Sequence, residues 1–333
     1  MEKKEFIINL PNKKDISILK AKGVFIFDSC SLLSIYSFNV SERKNFLTIL
    51  QKLAGKNRIW LPYQFLEELE VHRLEKIQEQ YEAYTKFKNI IDGQLCKITD
   101  NITNDVRISD LDSYQFLKKY KKSYFKRLQD IHKKIIQDLN VAKSKHPDWR
   151  KRDPIKEALM RCFNEGIGDP YSEDDERYKE FISTRTERYS KFVPPGYMDA
   201  EKNRTDPTKE KQYGDLKAWF QIMDYAKRYK NPVVIVTDDM KEDWWNKQNG
   251  KFFGPRVELM YEIYEHAGVH LGMYNTEGFL KYVKEELKIT IENTLLEKVK
   301  QIEEEKRVSS TPISAGESEL GAGNKVDLGT PQK

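Results

Sequence analysis

The sequence contains little cysteine and no long hydrophobic run. Its three cysteines, Cys30, Cys96 and Cys162, are far apart and include no C-x-x-C pair, so we expect neither a disulfide framework nor a cysteine zinc site. No apolar run approaches the roughly 18 residues of a membrane-spanning helix. The first ten residues lack an apolar core followed by a small-residue cleavage site. We therefore expect a soluble cytoplasmic protein without membrane contact.

Glycine-rich phosphate loops are also lacking. A dinucleotide site needs G-x-G-x-x-G directly after a strand, whereas Gly166-Ile167-Gly168 follows no predicted strand and has Tyr171 at the third glycine position. Gly55-Lys56 is followed by Asn57 rather than by Ser or Thr, which argues against a Walker phosphate loop. These absences argue against a nucleotide cofactor.

Charged residues are plentiful and nearly balanced. The 333 residues include 58 Lys and Arg against 53 Asp and Glu, a formal net charge of +5. Such a small excess fits nucleic-acid binding, but solubility alone accounts for it. Aromatic residues make up 12% of the chain, enough burial capacity to argue against global disorder. The length suggests about two domains, or one with a large insertion.

Short apolar runs alternate with helical patterns in two parts of the chain. Runs at 24–28, 58–62, 233–238 and 269–274 predict strands. The first and third are apolar until their final residues, which is typical of strands buried on both faces. Alternation of strands with helices favours a parallel sheet covered by helices. We therefore predict an α/β fold.

A long helical stretch separates the two α/β segments. Apolar residues recur at steps of three and four, first over 74–98 and then over 111–139, a pattern of two helices packed along a narrow seam. This predicts an inserted antiparallel arm. We expect the apolar stripe of the second helix, which includes Tyr124, Ile131 and Ile135, to fill the contact between the helices; for the aromatic residues of the arm, base stacking is the alternative. Its lysines and arginines are interpreted as a solvated face.

These patterns predict four segments. Residues 1–73 form the N-terminal half of an αβ domain, 74–190 a helical insertion, 191–307 the C-terminal half with a charged helix, and 308–333 a disordered tail. The tail is predicted because Ser, Gly, Thr and Pro dominate it.

Carboxylates follow the ends of the predicted strands. Asp28 ends the first strand, Asp238 and Asp239 end the third, Asp215 begins the helix before it, and Glu68 lies early in the helix after the second. Ligands of parallel sheets bind beyond the carboxyl ends of the strands, so these groups should gather at one edge. Their mutual repulsion is relieved by a cation, and Mg²⁺ prefers oxygen ligands.

Each carboxylate also has a simpler explanation. Asp28 is a plausible helix N-cap, and Glu68 has acidic neighbours that suit a solvated surface. Asp215 gains from the helix dipole without any ligand, and Asp238-Asp239 suits a turn. Only their combination indicates a metal site.

The combined motifs resemble the PIN-domain nucleases, and most closely the bacterial PIN-like group with a long helical insertion. The matching segments are Phe27 to Leu33; Leu61 to Gln64 leading to Glu68 and Arg73; Val193 to Tyr197 with Asp199 and Lys202; Tyr213 to Asp215 followed by Trp219; and Val236 to Asp239 with Lys241 to Trp245. The resemblance spans roughly residues 22–285. One departure is Cys30, which stands where many PIN domains have Asn.

The resemblance implies a three-layer αβα PIN-like fold with a parallel central sheet and an inserted helical arm. It also implies a metal-dependent endonuclease that uses Mg²⁺ or Mn²⁺ to hydrolyse phosphodiester bonds, with RNA favoured and single-stranded or structured DNA as the alternative. Bacterial relatives of this build suggest a toxin or antiphage effector, by analogy of fold. The competing hypothesis is a catalytically silent module that binds nucleic acid or protein through the arm.

The resemblance also implies roles for single residues. The catalytic and metal-binding set is Asp28, Glu68, Asp215 and Asp239, with Asp238 as a further ligand. Substrate-binding candidates are Arg73, Lys202, Lys241 and Ser29, although the cations fit equally well as partners of the carboxylates. Asp199 and Thr237 are expected to support the ligands. A protein partner or a second copy of the chain is expected at the arm.

Overall fold

Four short parallel strands form the centre of the computed structural model, which describes residues 13–104, 113–204, 210–248 and 251–310. They are β1 (Val24–Phe27), β2 (Ile59–Trp60), β3 (Val233–Val236) and β6 (Leu271–Tyr274), in the order β2-β1-β3-β6. β1 and β3 are central and buried along their whole length, because they contain only apolar side chains. Phe25 pairs with Ile59 on one side and Val234 on the other. All four predicted strands are confirmed.

Helices cover this sheet, and a two-stranded antiparallel hairpin lies beside it. The helices are α1 (Lys13–Lys22), α2 (Ser29–Leu33), α3 (Val40–Ala54), α4 (Tyr63–Asn104), α5 (Gln115–Lys145), α6 (Pro154–Phe163), α7 (Glu176–Ser190), α8 (Gly214–Tyr229), α9 (Val257–Ala267), α10 (Thr276–Glu285) and α11 (Asn293–Ser310). The hairpin is β4 (Trp245–Gln248) and β5 (Lys251–Pro255). Of the helices in the described ranges, none combines the length and apolar character needed to cross a membrane.

The side chains of β1 show how the layers form. Phe27 contacts Phe46 of α3, Phe163 of α6 and Phe279 of α10 at edge-on ring angles. Successive strand residues point to opposite faces, so Ile26 faces the other side of the sheet. The apolar residues of α8 and α9 are buried in the same core. The predicted three-layer αβα fold is confirmed.

The inserted arm is an antiparallel pair formed by α4 and α5. Asp92 pairs with His132 at 2.8 Å, and Thr85 accepts a hydrogen bond from Lys143 at 2.8 Å, so the two helices run in opposite directions. With 42 residues at 1.5 Å per residue, α4 is about 60 Å long.

The predicted seam between the two helices is only partly right. Half-buried positions on α5 include Leu117, Phe125 and Leu128. Tyr124, Ile131 and Ile135, by contrast, are 49%, 58% and 37% exposed, so their assignment to the seam was wrong. Each of these three residues directly precedes a half-buried position of α5, and one residue is about 100° of rotation around a helix.

The root of the arm packs into the αβ body. Ile77 is 3% exposed and belongs to the core, and the Gln80 amide donates to the carbonyl of Tyr36. These contacts lie beyond residue 74, where the sequence pattern predicts that the insertion begins. The first turns of α4 after Glu68 are therefore anchored to the sheet domain.

Two helical details differ from the sequence expectation. The segment 166–212 reads as loop-rich, yet it contains α7, whose 15 residues are so polar that only Phe181 is buried. The helical pattern over 280–306 is divided into α10 and α11. Helix α11 extends to Ser310, and the rest of the predicted tail lies outside the described residues.

Candidate active site

Asp28 lies where β1 passes into α2, at the carboxyl edge of the sheet. Its backbone N–H donates to Val236 O at 2.9 Å, which continues the pairing with β3. Its carboxylate makes no capping hydrogen bond to α2. Instead it accepts from Ser29 Oγ (3.1 Å), Cys30 Sγ (2.9 Å) and Thr237 Oγ1 (2.7 Å). The simple N-cap explanation therefore fails, and side-chain donors fix the orientation of the group.

Glu68 meets Asp28 through a shared hydroxyl. Ser29 Oγ lies 2.9 Å from Glu68 Oε2 and 3.1 Å from Asp28 Oδ1. Since a hydroxyl has one proton, it cannot satisfy both carboxylates at once. One turn earlier in α4, Gln64 donates to the other Glu68 oxygen at 3.0 Å.

Asp215 reaches the same place from the first turn of α8. The preceding residue is glycine because the Glu68 carboxylate occupies the space of a side chain: a Cβ on Gly214 would lie 2.5 Å from Glu68 Oε1. Trp244 Nε1 donates to Asp215 Oδ2 at 3.2 Å. Asp215 is therefore oriented by a residue from the loop that follows β3.

Asp239 and Asp199 are joined by Lys241. The ammonium Nζ lies 2.7 Å from Asp239 Oδ2 and 2.6 Å from Asp199 Oδ1. The Asp239 N–H donates to Thr237 Oγ1 at 3.0 Å, so one threonine contacts both Asp28 and Asp239. Asp199 is 4% exposed. Lys241 is thus a cation built into the carboxylate cluster.

Burial, together with neighbouring charges, shifts the pKa of two carboxyls in this cluster upwards. The pKa of Asp215 lies well above its ordinary value, first because burial disfavours the charged form and then because Asp199, Glu68 and Asp28 repel it. Burial also raises the pKa of Asp239, although Lys241 opposes this. The neighbouring carboxylates, Asp239 first, raise the pKa of Lys241 despite its own burial. Asp28, Glu68, Asp199, Asp215 and Asp239 therefore act as one electrostatic unit, which we call the acidic cluster.

Other candidates lie elsewhere or serve another role. Both oxygens of Asp238 accept from Thr276, at 2.9 Å each, so Asp238 fixes the start of α10. Arg73 binds Glu70 (2.9 Å) and Asp153 (3.3 Å) on the side of α4 that packs on α6. Ser29 and Lys241 contact the carboxylates themselves. The side chain of Lys202 is outside the described residues.

Some residues of the site carry no obvious sequence signal. Gln64 and Trp244 bind carboxylates of the acidic cluster, and Trp245 Nε1 binds the Asp239 carbonyl at 2.8 Å. The buried Asp243 accepts from the backbone of Gly196 (2.9 Å) and Met198 (3.1 Å), which holds the turn before Asp199. The signal for these roles was that the four residues belong to the segments that match the PIN-domain nucleases, where no role was assigned to them.

The acidic cluster has the donor chemistry of a hard-cation site. Carboxylate oxygens are the ligands that Mg²⁺ and Mn²⁺ prefer, and Lys241 already places a positive charge among them. Over the described ranges, no group of three His, Cys, Asp or Glu side chains is arranged to hold a metal as it stands. Ser29 Oγ instead bridges Asp28 and Glu68, and Lys241 Nζ bridges Asp199 and Asp239.

Comparison with known protein families matches residues 24–259 to the PIN-like domain. This range includes β1, β2, β3, the arm and every member of the acidic cluster. Comparisons with curated proteins and with solved structures found no match.

Proposed function

Because the chain belongs to the PIN-like domain family, whose members are in general nucleases, we propose that it is a metal-dependent endonuclease. It hydrolyses phosphodiester bonds of nucleic acid at the acidic cluster with Mg²⁺ or Mn²⁺. RNA is the first expected substrate, with single-stranded or structured DNA as the alternative. A role as a toxin or antiphage effector is supported only by the resemblance in build to bacterial PIN-like proteins.

The convergence of the carboxylates carries this proposal. Asp28, Glu68, Asp215 and Asp239 come from four distant segments, yet burial and the repulsion of Asp199, Glu68 and Asp28 together raise the pKa of Asp215. Like charges gathered this way cost stability, and such arrangements cluster where a function needs them. A divalent cation that replaces part of this repulsion with attraction explains why the fold brings them together.

The residues of the site have different proposed roles. Asp28, Glu68, Asp215 and Asp239 would hold the cation, which when bound activates water and stabilises charge on the phosphodiester. Cys30 and Thr237 orient Asp28 from the sides of α2 and β3. Asp238 is left out of the proposed ligand set because both of its oxygens are bound to Thr276.

The second candidate, a catalytically silent module, has one observation in its favour. Lys241 occupies the space between Asp199 and Asp239, and a lysine that neutralises a cluster permanently would keep a metal out. The two candidates differ in whether a divalent cation binds and whether cleavage follows.

The test is cleavage of labelled single-stranded RNA and DNA with Mn²⁺ or with EDTA. Asp28→Asn, Glu68→Gln and Asp215→Asn should each abolish metal-dependent cleavage, because loss of a ligand charge removes several kcal/mol of transition-state stabilisation. Glu67→Gln and Glu242→Gln are matched controls, since both carboxylates are exposed and lie beside the cluster residues in sequence. Full activity in any two of the three cluster variants would overturn the site.

A further inference from the structure

Positive charge is concentrated on α5. Its 31 residues include nine lysines and one arginine against two aspartates, a formal charge of +8. The whole chain has a net charge of +5, so the rest of the protein is slightly acidic. The near-neutral balance of the full sequence therefore hides one strongly basic helix.

Most of these cations have no acidic partner. In the part of the chain that the structure describes, Lys118, Lys119, Lys122, Lys126 and Arg127 form no ion pair or hydrogen bond. On α4, by contrast, Lys76 pairs with Glu79 at 2.7 Å and Lys86 with Glu82 at 4.0 Å. Like charges four residues apart destabilise a helix by a few tenths of a kcal/mol per pair, and both 118/122 and 122/126 are such pairs. A solvated helix built only for stability would alternate its charges.

Exposed aromatic rings lie on the same helix. Phe116, Tyr120 and Tyr124 are 66%, 70% and 49% exposed and are spaced four residues apart, so they form one stripe. This stripe lies beside the seam with α4 rather than in it. Three large rings open to solvent within three turns form a stacking surface. At 100° per residue, Arg127 projects between Phe116 and Tyr120, and Lys119 projects about 60° from Phe116. Lys134, exposed and without an ion pair or hydrogen bond among the described residues, projects in the same direction as Phe116, so these three cations border the rings.

We propose that the basic and aromatic face of α5 binds single-stranded nucleic acid. Phosphates attract the lysines, and unpaired bases stack on the rings, which is the combination used by proteins that hold single strands without sequence preference. A second copy of α5 is disfavoured on this face, because it would bring another +8 helix against the first. Calling the bound strand the substrate rests on the proposed nuclease function; the binding itself does not.

The position of this face gives it a distinct role. Asp92 pairs with His132, so Tyr120 lies opposite the distal end of α4, about 50 Å along the helix from Glu68. The arm would therefore hold a strand far from the cut, and a short oligonucleotide at the acidic cluster would not reach it.

The experiment measures binding of labelled single-stranded RNA and DNA to the full chain by fluorescence anisotropy in EDTA, across a salt series. The triple variant Lys119→Glu, Arg127→Glu, Lys134→Glu, which reverses the three cations bordering the rings, should weaken binding of a long strand at least tenfold. It should also lower the salt slope by about 2, since each phosphate contact on a single strand contributes about 0.7. The control is a second triple variant with the same change in charge, Lys44→Glu, Lys52→Glu, Lys56→Glu. Its residues are exposed and lie on α3 or just beyond its end.

The aromatic variants separate stacking from charge. Tyr120→Ala and Tyr124→Ala should each lower affinity about fivefold or more at an unchanged salt slope, and Tyr120→Phe and Tyr124→Phe should retain it. Far-UV circular dichroism checks that α5 stays helical.

The outcomes distinguish this inference from the proposed function. Equal weakening of strand binding by the α5 and α3 triple variants would overturn the inference. So would an α5 triple variant that binds the strand normally but loses a dimer in analytical ultracentrifugation, because the face would then be a protein interface. If wild-type protein cleaves but the α5 variants bind normally, the nuclease proposal stands and the inference fails. If binding depends on α5 but no cleavage occurs with Mn²⁺, the inference stands and the nuclease proposal fails.

Discussion

Replacing Lys241 with methionine tests whether this side chain holds the acidic cluster together without metal. The ammonium bridges Asp199 and Asp239 at 2.6 and 2.7 Å, and methionine keeps the length of the side chain but removes its charge. Loss of one partner from a fully buried ion pair costs about 3–5 kcal/mol, whereas a fully exposed pair contributes about 0–1 kcal/mol. Lys241 is 30% exposed and Asp199 only 5%, so we expect a loss of about 1–3 kcal/mol in EDTA.

This loss is measured as a fall in the thermal midpoint. At about 2–4 °C per kcal/mol for chains of this order of size, Lys241→Met in EDTA should melt roughly 2–12 °C below the wild type. Lys247→Met is the matched control, since Lys247 is 39% exposed and lies 3.7 Å from Glu242. Its loss should stay below about 1 kcal/mol.

Mn²⁺ should stabilise Lys241→Met more than it stabilises the wild type. In the wild type, an entering cation must displace the ammonium from Asp239, whereas in Lys241→Met it meets uncompensated carboxylates. A ligand at ~100 times its Kd adds about 2.7 kcal/mol to stability, and the shift should be larger in the variant because its Kd is lower. Isothermal titration with Mn²⁺ measures that Kd directly. If Lys241→Met is no less stable than Lys247→Met in EDTA, or binds Mn²⁺ more weakly than the wild type, this account of Lys241 is wrong.

Three further predictions follow from the same contacts. Asp215→Asn should stabilise the protein in EDTA by about 0.5–2 kcal/mol. Because the folded-state pKa of Asp215 is raised, the wild type loses stability as pH rises from the ordinary carboxyl pKa towards that folded-state pKa, so the advantage of the variant should shrink on acidification in melts at pH 5–8. Ser29→Ala should cost about 1 kcal/mol in thermal melts in EDTA, because it removes the hydroxyl that bridges Asp28 and Glu68, while Ser29→Thr should retain the stability. Replacing residues 86–142 with a short Gly-Ser loop should leave a folded, soluble body, because Thr85 and Lys143 already touch. A deletion from residue 74 should be destabilised by the loss of the buried Ile77, and equal melting of the two deletions would contradict this.

The sheet and the gathering of carboxylates could be predicted from the sequence. A central parallel strand is buried on both faces, so its composition alone marks it, as in Val24–Phe27 and Val233–Val236. The carboxyl ends of parallel strands share one edge of a sheet. Asp28 and Asp239 are therefore neighbours once the strands pair, whatever the intervening chain does.

The sequence could not show how each carboxylate is used. Asp238 and Asp239 are adjacent and chemically identical, yet Asp238 binds Thr276 and Asp239 binds Lys241. Adjacent side chains at a strand end point in different directions, and the neighbours they meet come from α10 and from the loop after β3. Arg73 is similar: its motif position suggested substrate, but α6 places Asp153 within its reach.

Tertiary structure also decided which face of the arm is free. Periodicity placed Tyr124, Ile131 and Ile135 in the seam, because steps of three and four fit two neighbouring stripes on one helix. The choice between those stripes depends on the rotation of α5 about its axis, and contacts such as Asp92 with His132 set that rotation. Local sequence determines that a helix has an apolar side, whereas only the packing of one helix on another determines which apolar residues the partner covers.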